Sequence, residues 1–280
     1  MNKWIIAGIL FAAGIVQAKQ IENPDANTLW MEDGKEIELG EKPGSGHWLA
    51  APGKKDLEIK SKEDGSGVSL LGKDGTGRKT MTRVKLSPEY PYLTFRITGF
   101  NPLKGYRNWT VLVDGQLNTS QANAPQKGIY VFDLFQNAPE KSEAKKAAYL
   151  NIYLYRLGMD LAYIKLVKKP AYTVRTECSD PEIKPGSKVK FIAELEKEAE
   201  DVSLNLITDY VMTSVKVNGK LKIQLKPTDK TQKIWTAELE IKSLGLKKAQ
   251  TRHKTLIKMN VLGGDLDEPV WVGLPYPLVP

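Results

Sequence analysis

The sequence is poor in the residues that carry most enzyme chemistry. It holds one cysteine, Cys178, and two histidines, His47 and His253, among 280 residues. A serine or cysteine nucleophile needs a base, normally histidine, and no Gly-x-Ser-x-Gly elbow is present. One cysteine and two distant histidines give no zinc spacing, and His-Glu-x-x-His is absent. No catalytic residue, metal ion or cofactor is therefore expected. Paired carboxylates suffice for glycoside hydrolysis, so the 33 acidic residues leave that class open. A lone cysteine also excludes an internal disulfide, so the cores must hold the fold.

Helical periodicity is nearly missing too. The one candidate, Pro139 to Ala148, has no apolar stripe and is expected as a solvated loop or a single turn. Long apolar runs are confined to the N-terminus. There Lys3 precedes an uncharged stretch from Trp4 to Val16, and Val16-Gln17-Ala18 supplies a small-residue cleavage site. That is the layout of a short, bacterial-type secretion signal over residues 1–18, and the run is too short for a membrane anchor. The mature chain is expected to start at Lys19, to have no transmembrane segment, and to be secreted or periplasmic. The formal charge of +8 comes from lysines scattered among glutamates. Export argues against nucleic acid as a partner.

Period-two alternation is what the sequence has in abundance. Leu93, Phe95 and Ile97 share a face, as do Trp109, Val111 and Val113, which marks Trp109 as core. Leu150, Ile152 and Leu154 oppose Tyr149, Asn151, Tyr153 and Tyr155. The latter set reads more readily as a cover under a second apolar layer than as an exposed platform. The pattern breaks at Lys168-Lys169-Pro170 and restarts at Tyr172. Beyond it come Val189, Phe191, Ala193 and Leu195, then Val202, Leu204 and Leu206, then Val215 and Val217 before an Asn218-Gly219 hairpin turn. Leu221, Ile223 and Leu225 are expected to face the same core. The proline-rich tail, Pro269 to Pro280, is expected as an extended edge. Two domains follow, residues 19–170 and 171–280, the second with the many short strands of an immunoglobulin-like β-sandwich.

The segment Tyr149 to Val167 resembles the last two strands of galactose-binding-like jelly-roll domains, a strand followed by a glycine turn and a closing Leu-x-Tyr-Ile-x-Leu-Val. Gly128 to Leu134 is similar to the strand before them. The resemblance implies an N-terminal jelly-roll β-sandwich over residues 29–168, in a superfamily rich in carbohydrate-binding modules. The fold class expected is thus all-β, a jelly roll followed by an immunoglobulin-like sandwich.

Sugar recognition pairs an aromatic face with polar groups for the hydroxyls. Loop positions suit that role, because strand aromatics mostly face cores. Gly44 to Trp48 places His47 and an indole on a glycine-rich loop, and Tyr106, Arg107 and Asn108 lie between two strands. These five residues are the expected ligand site. The function expected is non-catalytic carbohydrate binding; the alternative is a structural or adhesive role in which both sandwiches contact cell-envelope proteins.

Overall fold

A computed structural model describes residues 21–33, 48–50, 57–72, 76–113, 117–122, 126–135, 147–208, 212–246, 254–264, 266 and 268–280. Among them every regular element is a strand. The first strands are β1 (Ile21–Asp25), β2 (Thr28–Asp33), β3 (Trp48–Ala50), β4 (Leu57–Ser61), β5 (Val68–Gly72) and β6 (Thr76–Lys85). Next come β7 (Tyr92–Pro102), β8 (Asn108–Val113), β9 (Leu117–Ala122), β10 (Gly128–Asp133), β11 (Ala147–Tyr155) and β12 (Leu157–Val167). After Pro170 follow β13 (Tyr172–Cys178), β14 (Lys188–Leu195), β15 (Asp201–Thr208), β16 (Thr213–Val215) and β17 (Ile223–Gln224). The last are β18 (Lys226–Pro227), β19 (Ile234–Glu240), β20 (Thr255–Leu262) and β21 (Val270–Gly273).

Three sheets result. A 12-stranded sheet runs β1-β2-β12-β7-β10-β21-β20-β15-β16, with β5 also on β12, β4 on β5 and β17 on β15. A five-stranded sheet has the order β3-β6-β11-β8-β9, and a four-stranded sheet the order β13-β14-β19-β18. The large sheet is common to both halves of the chain. Its seam is the parallel pairing of β10 with β21, Ile129 opposite Val270, Tyr130 opposite Trp271 and Val131 opposite Val272.

Alternation at this seam feeds two cores, because successive residues of a strand point to opposite faces. Tyr130, Phe132 and Trp271 enter the first core, with Phe95, Trp109, Ile152 and Ile164. Val131, Val270 and Val272 enter the second, with Phe191, Leu204 and Met259. The two smaller sheets thus cover opposite faces of the common sheet. Trp109 is fully buried, as its spacing with Val111 and Val113 predicts, and the rings of Tyr130 and Phe95 stack at 5.0 Å beside it.

Several local expectations are met and several are not. Asn218 and Gly219 both have positive φ, 51° and 79°, and the backbones of Val217 and Lys220 exchange two hydrogen bonds, a type I′ turn. Asp64 to Gly67 forms a tight turn between β4 and β5, with Asp64 accepting from the backbone and hydroxyl of Ser66. Those two bonds hold the Asp64 carboxyl below its usual range. The first part of the proline-rich tail is no edge: β21 lies inside the large sheet between β10 and β20, with Val270, Trp271 and Val272 all buried, whereas Pro277 to Val279 run extended against Ile183. Covered faces on both sides explain an apolar run with no alternation. Leu221 is 45% exposed rather than core, because it directly follows the hairpin turn and burial resumes only at Ile223. The corner between β11 and β12 is made by Arg156 at φ 48°, not by Gly158, which is already in β12 against the side chain of Asn101. Residues 136–146, and with them most of the helix candidate, lie outside the described residues; Ala147 already begins β11. Cys178 is half-buried against the second core, its Sγ 3.7 Å from the carbonyl oxygen of Glu182.

Candidate functional site

The site begins with the alternation of β11. Leu150, Ile152 and Leu154 point into the first core and are at most 1% exposed. That commits Tyr149, Tyr153 and Tyr155 to the outer face of the five-stranded sheet. Tyr149 is 47% exposed, and Tyr153 and Tyr155 are half-buried. The spacing of these tyrosines is legible in the sequence, but the reading of them as a cover is not what the described residues show at Tyr149.

Register then brings polar groups alongside. Tyr153 is opposite Thr110 and Tyr155 opposite Asn108 on β8, and Thr110 is opposite Ser120 on β9. Directly opposed residues lie on the same face of a sheet. Thr110 donates to the Ser120 hydroxyl at 3.3 Å, and Ser120 donates to Oδ1 of Asn108 at 2.9 Å. The result is a short ladder of hydroxyls and an amide beside the tyrosines.

The loop between β7 and β8 completes the arrangement. Tyr106 is 43% exposed, and its ring centroid lies 5.9 Å from that of Tyr155 at an interplanar angle of 54°. Arg156 braces this corner: its backbone carbonyl accepts from the amide of Leu103, and its guanidinium sits 5.6 Å from the centre of the Tyr155 ring. Gly105, at φ 96°, lets the loop pass the arginine, since a Cβ there would stand 2.6 Å from Nη1. The arrangement offers two inclined aromatic faces, a fixed cation and an adjacent row of hydrogen-bonding groups.

The five expected site residues separate. Tyr106 and Arg107 lie in the loop as expected, but Asn108 already begins β8, where pairing with Tyr155 extends the strand to it; Arg107 and Asn108 are half-buried. His47 lies outside the described residues. Trp48 is not in a loop but begins β3, opposite Met81 of β6. It stands three strands across and about four residues along from Asn108, which sets the two backbones roughly 20 Å apart. Trp48 and Tyr106 are thus not neighbours. Arg156 is the residue that sequence reasoning missed, and Tyr155, weighed there as cover rather than platform, joins the corner. The only signal for Arg156 is its place next to an outward tyrosine, which without knowledge of the corner carries little weight.

A concavity of about 650 Å³ lies on the face of the large sheet away from the first core, where β12 and β7 meet the start of β13. Tyr163, Thr94 and Ile129 line its floor, and Tyr172 and Leu195 line its wall. Burial pushes the Tyr163 hydroxyl above its usual pKa, and the neighbouring Thr94 opposes the shift. Among the described residues no group of histidine, cysteine and carboxylates could hold a metal ion, and no helix is long and apolar enough to cross a membrane.

No family model matches the chain, and no curated protein does. Solved structures are similar only loosely. A DUF4785 family protein from Legionella pneumophila is matched at 12% identity and a TM-score of 0.25, over 82% of this chain and 69% of that one. The glycoside hydrolase domain of Endo-D from Streptococcus pneumoniae is matched at 9% identity and a TM-score of 0.27, over 80% of this chain and 36% of that one. The chain thus spans about a third of the Endo-D structure, and at these scores neither likeness bears on what this protein does.

Proposed function

We propose that the protein is an exported, non-catalytic carbohydrate-binding protein, in which a jelly-roll lobe presents the ligand face and an immunoglobulin-like lobe follows it. The observation that carries this reading is the paired, partly exposed Tyr106 and Tyr155 beside the Thr110–Ser120–Asn108 hydrogen-bonded row. Inclined tyrosines present apolar ring faces to the C–H side of a pyranose while nearby hydroxyls and amides meet its hydroxyl groups. Tyr149 and Tyr153 extend the surface along β11, so an oligosaccharide rather than a monosaccharide is the ligand. The site sits on Tyr106 and Asn108 and leaves Trp48 outside it.

Calorimetric titration of the mature chain with neutral oligosaccharides tests the reading. Tyr106→Ala and Tyr153→Ala are expected to weaken binding about ten-fold or more while leaving the melting temperature nearly unchanged. Trp109→Ala is the contrast, losing roughly 3–5 kcal/mol of stability because the indole is fully buried. Absence of binding to any neutral oligosaccharide at millimolar concentration would reject the reading. It would favour the rival, a structural envelope protein, for which the sheet shared by both halves supplies a stiff two-lobed body.

A further inference from the structure

The 650 Å³ cleft between the two halves has the size of a small-molecule site, and its lining mixes polar and charged groups with the apolar side chains of Ile129, Val131 and Leu195. It is also preformed. Asn27 clamps the connection between the halves: its Nδ2 donates to the Lys169 carbonyl at 2.9 Å, its Oδ1 accepts from the Lys169 amide at 2.9 Å, and its own carbonyl accepts from the Lys168 amide at 2.8 Å. These bonds fix the wall, which begins at Tyr172, relative to the floor on β7, β10 and β12. A site that does not need to close loses less entropy on binding.

The charge of the lining is lopsided. Lys165, Lys169 and Lys233 line the cleft against one carboxylate, Glu196. Lys169 is partly answered by Glu194 at 3.6 Å. No described carboxylate is within ion-pair distance of Lys165 or Lys233. The Lys165 ammonium instead lies 5.0 Å over the Tyr163 ring, at the floor. A concavity of one sign with low-dielectric walls concentrates counter-charge. Lysine supplies point charges on flexible stems, suited to a single anionic group rather than to a planar fork.

We propose that this cleft is a second binding site, for a carboxylate-bearing sugar, whose carboxylate meets Lys165 and Lys233 and whose C–H face lies on Ile129. Hydroxyl groups of the sugar face Tyr163, whose own hydroxyl is bonded to the buried Thr94. This site is on the opposite face of the large sheet from the first core, separate from the tyrosine face, and stands whether or not that face binds glycan.

The test is calorimetric titration of the full mature chain with three probes at constant ionic strength: digalacturonate, the uncharged disaccharide cellobiose, and sodium sulfate. Digalacturonate is expected to bind with a Kd below about 1 mM, at least ten-fold more tightly than either of the others. Lys165→Met and Lys233→Met are each expected to weaken it about ten-fold, without a change in melting temperature. Tyr153→Ala, on the other surface, is expected to leave it unchanged. No heat with digalacturonate, equal affinity for sulfate, equal affinity for cellobiose in the Tyr153→Ala variant that lacks the tyrosine face, or unaltered affinity in both lysine variants overturns the proposal. So does loss of digalacturonate binding in Tyr153→Ala, which would assign the heat to the tyrosine face.

Discussion

Trp271 lies near the end of the chain, yet its indole is 2% exposed within the first core. It stacks on Tyr130 at 6.0 Å, donates through Nε1 to the Lys127 carbonyl at 3.1 Å, and carries the Lys258 ammonium 5.4 Å from its ring centre. Trp271→Ala removes that wedge. Truncating a buried tryptophan costs roughly 3–5 kcal/mol, and the lost hydrogen bond adds about 1 kcal/mol. A total near 5 kcal/mol is a large share of a marginal folding free energy, on the order of 5–15 kcal/mol. For a protein of this size it corresponds to a fall in melting temperature of about 10–20 °C. Differential scanning calorimetry should show the fall. Hydrogen exchange should show faster opening not only of β20 and β21 but also of β7 and β10, from the other half of the sequence. Should β7 and β10 keep their full protection while only the second half loosens, the indole does not hold the first core and the seam is only a surface contact. The fragment 19–170 is the complementary material, since it lacks both Trp271 and the strand that covers the β10 edge. It is expected to melt below the first half in the intact chain.

Gly128→Ala is expected to destabilise by about 2–4 kcal/mol in urea titration, since the residue has φ 135° and a Cβ would stand 2.3 Å from the Pro269 carbonyl oxygen. Gly219→Ala, with positive φ but open space, should cost only about 1 kcal/mol. Burial raises the pKa of Tyr92, Tyr130 and Tyr163 above the ordinary 10.0, most strongly at fully buried Tyr130. Below pH 10 both the folded and the unfolded chain keep these protons; above it the unfolded chain loses them first, so stability falls as pH rises. Tyr130→Phe should flatten that alkaline slope by up to about 1.4 kcal/mol per pH unit, and an unchanged slope would contradict the burial argument. N-terminal sequencing of protein from an extracytoplasmic fraction should read from Lys19, and recovery of Met1 in a membrane pellet would refute export.

Period-two alternation by itself determined which side of most strands is apolar, and the structure agrees for Leu93 to Ile97, Trp109 to Val113, and Val189 to Leu195. It also determined turns whose chemistry is local, such as Asn218-Gly219, because positive φ is a property of one or two residues. Alternation encodes a face, not a partner. The pairing of β21 with β10 joins residues about 140 positions apart, and nothing local in Val270-Trp271-Val272 distinguishes a central strand from an edge. The tail therefore read as an edge until the sheet order was known. The tyrosines of β11 posed the same problem, since whether an outward face is covered depends on what the rest of the chain packs against it. The corner that sets Tyr106 on Tyr155, and the cleft that gathers lysines from two distant segments, exist only after the sheets have assembled. Local sterics and hydrophobic period wrote the strands; long-range strand pairing, which no short window of sequence contains, placed the surfaces on which ligands can sit.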